Sequence, residues 1–376
     1  MRVYLDNAAT TQIAPEVIDY MSELMKSDYA NPSSIHHGGR KSRIIIENAR
    51  KKVSSFLNTS PGNIFFTSGG TEADNMAIRC GILDNNISHA ITSSISHKAV
   101  IYPLEELRDK NKITLNYIKL DNNGKIDLAH LEELLKNSPR TFVSIMHANN
   151  EIGTIQPINK IGELCQKYNA IFHCDTVQTM AHYPIDLQKI NVDFITGSAH
   201  KFHGPKGVGF IYISDNINIK PFISGGSQER NMRAGTENVH AIAGLAKAME
   251  LSFLNMVKDK DYISELKRYM IDQLKLNING IEFNANCIDF DNSLFKILSV
   301  SFPKVSESEM LLFNLDIHGI SCSGGSACSA GNMSASHVLD EVCKDSNRTG
   351  VRFSFSRYNT KDEIDYTIEK IKEIFS

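Results

Sequence analysis

The sequence has no Cys-x-x-Cys spacing, and its seven cysteines form an odd, scattered set. That pattern argues against a disulfide framework and a structural zinc site, and it suits a reducing cytosol. No uninterrupted apolar run approaches the roughly 20 residues of a bilayer-spanning helix. Met1–Asn7 also lacks the apolar core of a signal peptide. An excess of either charge is missing: the formal net charge of -3 gives no electrostatic case for nucleic acid or an anionic membrane as partner. The expectation is therefore a cytoplasmic protein acting on small molecules or other proteins. Internal repeats and low-complexity tracts are absent, and no Pro- or Gly-rich linker marks a domain boundary.

What is present is alternation. With 376 residues and 41% hydrophobic content, the chain can build a large core and two domains. From Ile64 onward, short apolar runs alternate with helical patterns: 64–67, 89–95, 113–120, 141–146, 170–175 and 192–197 read as strands. The stretches 70–83, 99–110, 128–136 and 158–168 read as helices. Such alternation predicts right-handed crossovers and an α/β fold with a mostly parallel sheet. A long helix over about 239–274 then carries the chain into a smaller α+β part, with a strand at 297–302, a helix near 307–315, a strand at 351–355 and a helix at 361–375. The division expected is a large unit over 12–256, with 1–11 and 257–376 in the small one.

Ligands of open α/β sheets bind at the carboxyl ends of the strands. Four of those ends carry matched chemistry. Thr67-Ser68-Gly69-Gly70-Thr71-Glu72 joins a strand to a helix, and free N–H groups at a helix start favour a phosphate. Asp175 ends the apolar run Ala170–Cys174, where a buried carboxylate needs a cationic partner. His97, just past a strand, can stack on a flat ring. Lys201 lies in Ser198-Ala199-His200-Lys201-Phe202-His203-Gly204-Pro205, where desolvation would free its amine to condense with an aldehyde. Singly, each has a plain structural explanation. Together, a phosphate site, a carboxylate for a ring nitrogen, a ring cover and an aldehyde-binding lysine describe pyridoxal 5'-phosphate.

The stretch Ser198–Gly207 resembles the cofactor-lysine motif of the cysteine desulfurases, a class V aminotransferase branch of the fold-type I pyridoxal-phosphate enzymes. The likeness extends to Tyr4–Thr11, Asn31–Ser34, Met146–Thr154 and Arg233–Glu237. It implies a seven-stranded, mostly parallel sheet in the large domain. It also implies that Gly70, Thr71, Ser198 and His200 hold the phosphate, with Thr236 supplied by the other subunit of a homodimer. Asp175 would pair with the pyridine nitrogen, Gln178 with the ring hydroxyl, and Asn150 would lie near cofactor and substrate. Arg352, in Val351–Arg357, matches the arginine that holds the carboxylate of L-cysteine. No metal is implied.

A second motif bears on the reaction. Ser321-Cys322-Ser323-Gly324-Gly325-Ser326-Ala327-Cys328 is rich in small residues, and such a loop packs poorly into a core. A thiol there can reach a substrate and then a partner. Gly325–Cys328 resembles the long catalytic loop of one desulfurase subgroup, which makes Cys328 the expected acceptor of substrate sulfur. From it a persulfide would pass to an acceptor protein, such as an iron–sulfur scaffold, in iron–sulfur cluster or thio-cofactor assembly. Cys322 reads as an incidental loop residue, with a secondary sulfur acceptor as the alternative. A selenocysteine lyase or another class V enzyme, or an inactive paralogue that transfers sulfur, are the competing readings.

Overall fold

Strands buried on both faces form the centre of the molecule, and amphipathic helices cover them. The computed structural model describes residues 1–304, 310–324, 336–342 and 348–375. The chain opens with β1 (Val3–Tyr4), α1 (Pro15–Ser27) and α2 (His37–Phe56). The alternating part follows as β2 (Ile64–Thr67), α3 (Gly70–Leu83), β3 (His89–Ser93), α4 (Lys98–Asp109), β4 (Thr114–Ile118) and α5 (Leu128–Lys136). It continues through β5 (Thr141–Met146), α6 (Ile158–Lys167), β6 (Ile171–Asp175), β7 (Phe194–Ser198) and β8 (Gly209–Ile213). After α7 (Val239–Asn277) come β9 (Glu282–Phe283), β10 (Ile297–Phe302), α8 (Leu311–Ile317), β11 (Ile320–Ser321) and β12 (Ser323–Gly324). α9 (His337–Val342), β13 (Thr349–Ser354) and α10 (Lys361–Phe375) complete the described chain.

The main sheet has seven strands in the order β2-β8-β7-β6-β5-β3-β4. Every residue of β2, β5, β6, β7 and β8 is buried, which is why they read as continuous apolar runs rather than alternating ones. Strands β3 to β7 pair in parallel, while β8 is antiparallel to both β7 and β2. The reason is local. A parallel return needs a crossover of a dozen or more residues, usually helical, and the segment between Ser198 and Gly209 is too short for one. The chain turns back at once, and Lys201 sits in that reversal.

Register fixes the edge that matters. Gly209 pairs with Thr67 on one side and Ser198 on the other, while Asp175 pairs with Met146 and Thr196. A Cβ on Gly209 would lie 2.5 Å from the Gly197 carbonyl oxygen and 2.8 Å from Gly69 backbone, so only glycine lets these strand ends close up.

α7 is one helix of 39 residues with two sets of partners. Its Ala241–Met249 side chains join the core beneath the main sheet, whereas Ile263, Met270 and Leu274 join a second core with β10, β13 and α10. That second core lies against the antiparallel sheet β12-β13-β10-β9. The helix expected near 307–315 is seen from Leu311 to Ile317; residues 305–309 lie outside the described residues.

Cys322 corrects an expectation. It lies between β11 and β12 and packs, partly buried, against the second core rather than riding on a loop. β11 pairs in parallel with β1, and this brings Ser321, just before Cys322, into a ladder that spacing alone does not reveal.

Candidate active site

The strand ends converge on one cavity of about 230 Å³. Gly70 and Thr71 reach it from the head of α3, His97 from the head of α4, and Asn150 from the turn after β5. Asp175 and Gln178 come from the end of β6, and Ser198, His200 and Lys201 from the end of β7. Nine of the residues singled out in the sequence thus share one wall.

Lys201 ends a short 3-10 turn, Ala199–Lys201, that follows β7 directly. Its Nζ donates to the carbonyl oxygens of Ala8 at 2.6 Å and Ala9 at 2.8 Å. Burial, then the nearby Arg352 guanidinium, pull its amine down from the ordinary 10.5 to about 8, with Asp175 and Asp6 opposing. Part of the amine is therefore neutral near pH 7, as a nucleophile requires. His200 is likewise pushed down to about 4, mainly by burial, and its Nδ1 lies 3.1 Å from Thr10 Oγ1.

Asp175 is 5% exposed and its Oδ1 accepts from the Val177 N–H at 2.9 Å. Burial first, then Asp74, push its carboxyl up to about 6. A carboxylate so placed gains by meeting a cation. Gln178 donates from Nε2 to the Ala8 carbonyl at 3.0 Å, and its buried Oε1 has no partner among the described residues. That orphaned acceptor points to a donor hydroxyl on a ligand. His97 caps α4, accepting at Nδ1 from the Ala99 N–H at 3.1 Å, which fixes the ring at the cavity mouth. Its surroundings lower its pKa through loss of solvation, against the pull of Asp175.

At the phosphate end, a Cβ on Gly70 would stand 2.7 Å from Val177 Cγ2, so α3 can begin against the β6 end only with glycine there. The donors at the head of α3, the hydroxyl of Ser198, the amine of Lys201, the carboxylate of Asp175 and the free Gln178 Oε1 suit a phosphorylated, protonatable ring bearing a hydroxyl and an aldehyde.

Two expected residues lie elsewhere in this single chain. Arg352 borders a neighbouring cavity that shares Asn150. It donates through Nη1 to the Asn150 carbonyl at 2.8 Å and through Nη2 to Asp6 Oδ1 at 2.7 Å and Ser323 Oγ at 3.0 Å. Thr236 is exposed and outside the cavity. Cys328 lies outside the described residues. The sequence reading missed Asp74, which lines the same cavity. The signal was there: Asp74 is four residues after Gly70, so both face the same side of α3.

The chain is 41% identical over 377 residues to the cysteine desulfurase IscS of Dictyoglomus turgidum, covering 99% of this chain and 94% of that protein. Among solved structures, a NifS-like protein superposes with a TM-score of 0.90 at 37% identity, covering 100% of this chain and 99% of the other. SspA in complex with cysteine superposes with a TM-score of 0.81 at 29% identity, covering 95% and 100%. The family model for class-V aminotransferases, whose members depend on pyridoxal phosphate, matches residues 3–367, and the chain belongs to that family.

Proposed function

We propose that this chain is a cysteine desulfurase: it binds pyridoxal phosphate at Lys201, takes sulfur from L-cysteine, and yields L-alanine with a persulfide on Cys328. The observation that carries the reading is the single cavity in which the depressed amine of Lys201 faces the buried carboxylate of Asp175. The full-length likeness to a cysteine desulfurase and to a structure holding cysteine supports the substrate.

In this reading Gly70, Thr71, Ser198 and His200 hold the phosphate, and Thr236 of a second copy completes the site in a homodimer. Asp175 keeps the ring nitrogen protonated, Gln178 Oε1 accepts from the ring hydroxyl, and His97 covers the ring. Pyridoxal phosphate, when bound, supplies an electron sink for the bonds at the substrate Cα. Arg352 and Asn150 orient the substrate by its carboxylate. Lys201 Nζ then takes the Cα proton, and His97 moves protons at the mouth of the cavity. The Cys328 thiolate attacks the substrate sulfur. A sulfur–sulfur bond forms as the Cβ–S bond breaks, the electron pair goes to Cβ, and a proton at Cβ together with return of the Lys201 proton to Cα completes alanine. The persulfide passes to an acceptor protein in iron–sulfur cluster or thio-cofactor assembly. In the same reading residues 12–256 form the cofactor-binding unit, while 1–11 and 257–376 form the unit that carries Cys328.

Alanine formation from L-cysteine, measured beside mass spectrometry of the loop peptide, tests the proposal. Cys328→Ala should bind cofactor and L-cysteine but form no persulfide and little alanine. Normal alanine from that variant would overturn the desulfurase reading in favour of a lyase.

A further inference from the structure

Asp74 has no part in the reading above, yet it is one of the most deeply buried acids among the described residues. It is 2% exposed and sits one turn into α3, in the wall of the cofactor cavity. Its Oδ1 accepts from Thr196 Oγ1 at 2.7 Å and lies 3.4 Å from His173 Nε2. His173 is fully buried on β6, two residues before Asp175 and on the same face of the strand. Its Nδ1 is 2.8 Å from Ser144 Oγ, which leaves Nε2, otherwise without a partner, facing Asp74.

The charge count is uneven. Thr196 from β7 bonds Asp74 and His173 from β6 lies against it, while Asp74, His97 at the head of α4 and His173 act on Asp175; both acids act on Cys174, and Asp175 also acts on Lys201 beyond the end of β7. Burial pushes His173 down to about 4, and it pushes the Cys174 thiol up, so both are neutral near pH 7. Two carboxyls remain in the wall of one cavity, and Asp74 raises Asp175. Like charges in a buried site do not both ionise at low cost, so one keeps a proton until a cation arrives. Asp74, raised to about 7 by burial against the pull of Thr196, is the one that keeps it; Asp175, raised to about 6, is the one that gives it up first.

We propose that Asp74 is a positioning residue for the ring cation: with His173 it holds one proton in the cofactor-free protein and releases it to solvent when a protonated ring nitrogen settles on Asp175. The inference rests on the cofactor reading above. Only the O–H bond of Asp74 breaks, and the proton goes to water. The gain is that two anionic carboxylates, rather than one, then act on the ring nitrogen and hold its proton more firmly.

Calorimetry of pyridoxal phosphate binding to the cofactor-free full chain, in buffers of different ionisation enthalpy, counts the protons released. At pH 7, Asp74→Asn keeps an oxygen for Thr196 but has no proton to lose, so its count should fall by about half a proton relative to wild type. Thr196→Val removes a donor that favours the carboxylate, so Asp74 should hold its proton more firmly and release more of it at pH 8 than wild type. The two variants move the count in opposite directions. A merely structural tie between α3 and β7 weakens binding in both and leaves the counts equal to wild type; that result overturns the inference and leaves the cofactor reading standing. If Asp74→Asn does not fold, an unchanged count in Thr196→Val overturns it alone. Failure of the wild type to bind pyridoxal phosphate would overturn the cofactor reading itself, and the inference with it.

Discussion

Lys201→Met should make the cofactor-free protein more stable at neutral pH, and the gain should disappear in alkali. The folded chain holds this amine at about 8, against an ordinary 10.5. At roughly 1.4 kcal/mol per pH unit, that gap corresponds to about 3 kcal/mol of folding free energy set against the ammonium form. The two hydrogen bonds to the Ala8 and Ala9 carbonyls offset part of this, at about 1 kcal/mol each. A net gain of roughly 1–3 kcal/mol for Lys201→Met at pH 7 follows. The sign comes from proton counting. Below pH 8 the lysine is charged in both states and the penalty is complete. Between 8 and 10.5 the unfolded chain binds more protons than the folded one, so wild-type stability rises with pH. Above 10.5 both states are neutral and the penalty is gone. Urea unfolding of both proteins at pH 7, 9 and 10.5 measures the difference. A gap between variant and wild type that does not shrink with pH would refute the reasoning. The same burial serves chemistry: at pH 7 an amine titrating at about 8 is neutral roughly 300-fold more often than one titrating at 10.5.

Three further outcomes follow from named contacts. Glu229→Gln breaks a buried bidentate pair with Arg50, at 2.7 and 2.8 Å, and should cost roughly 3–5 kcal/mol in denaturant unfolding. Gly70→Ala brings a Cβ within 2.7 Å of Val177 Cγ2; the overpacking should cost about 1–3 kcal/mol and weaken pyridoxal phosphate binding by titration. Sedimentation should give twice the 42.0 kDa chain mass if, as proposed, Thr236 of a second copy completes the site; a fully loaded monomer would refute that assignment.

What the sequence made legible was what local physics dictates. Strands buried on both faces must be continuous apolar runs, so β2, β5 and β10 could be read to the residue, and the polar residues just past them had to lie at the sheet edge. Asp175 and Lys201 were visible for that reason: each is a charged group placed where an apolar run stops. The orientation of β8 was less open to reading, because it depends on whether the segment after Ser198 is too short for a crossover. Cys322 was misjudged because its setting comes from a pairing between β1 and β11, more than three hundred residues apart in sequence. Arg352 illustrates the same limit. Its motif marks it, but its tie to Asp6 joins residues 346 apart, and only the folded chain reveals that a carboxylate already holds the guanidinium expected to receive a substrate carboxylate. Asp74 stands between these cases. Its spacing from Gly70 was readable, but its closeness to His173 depends on how α3 lies across β6 and β7. Helix spacing can say that an acid faces the sheet; only the docked helix says which proton-binding group it meets there.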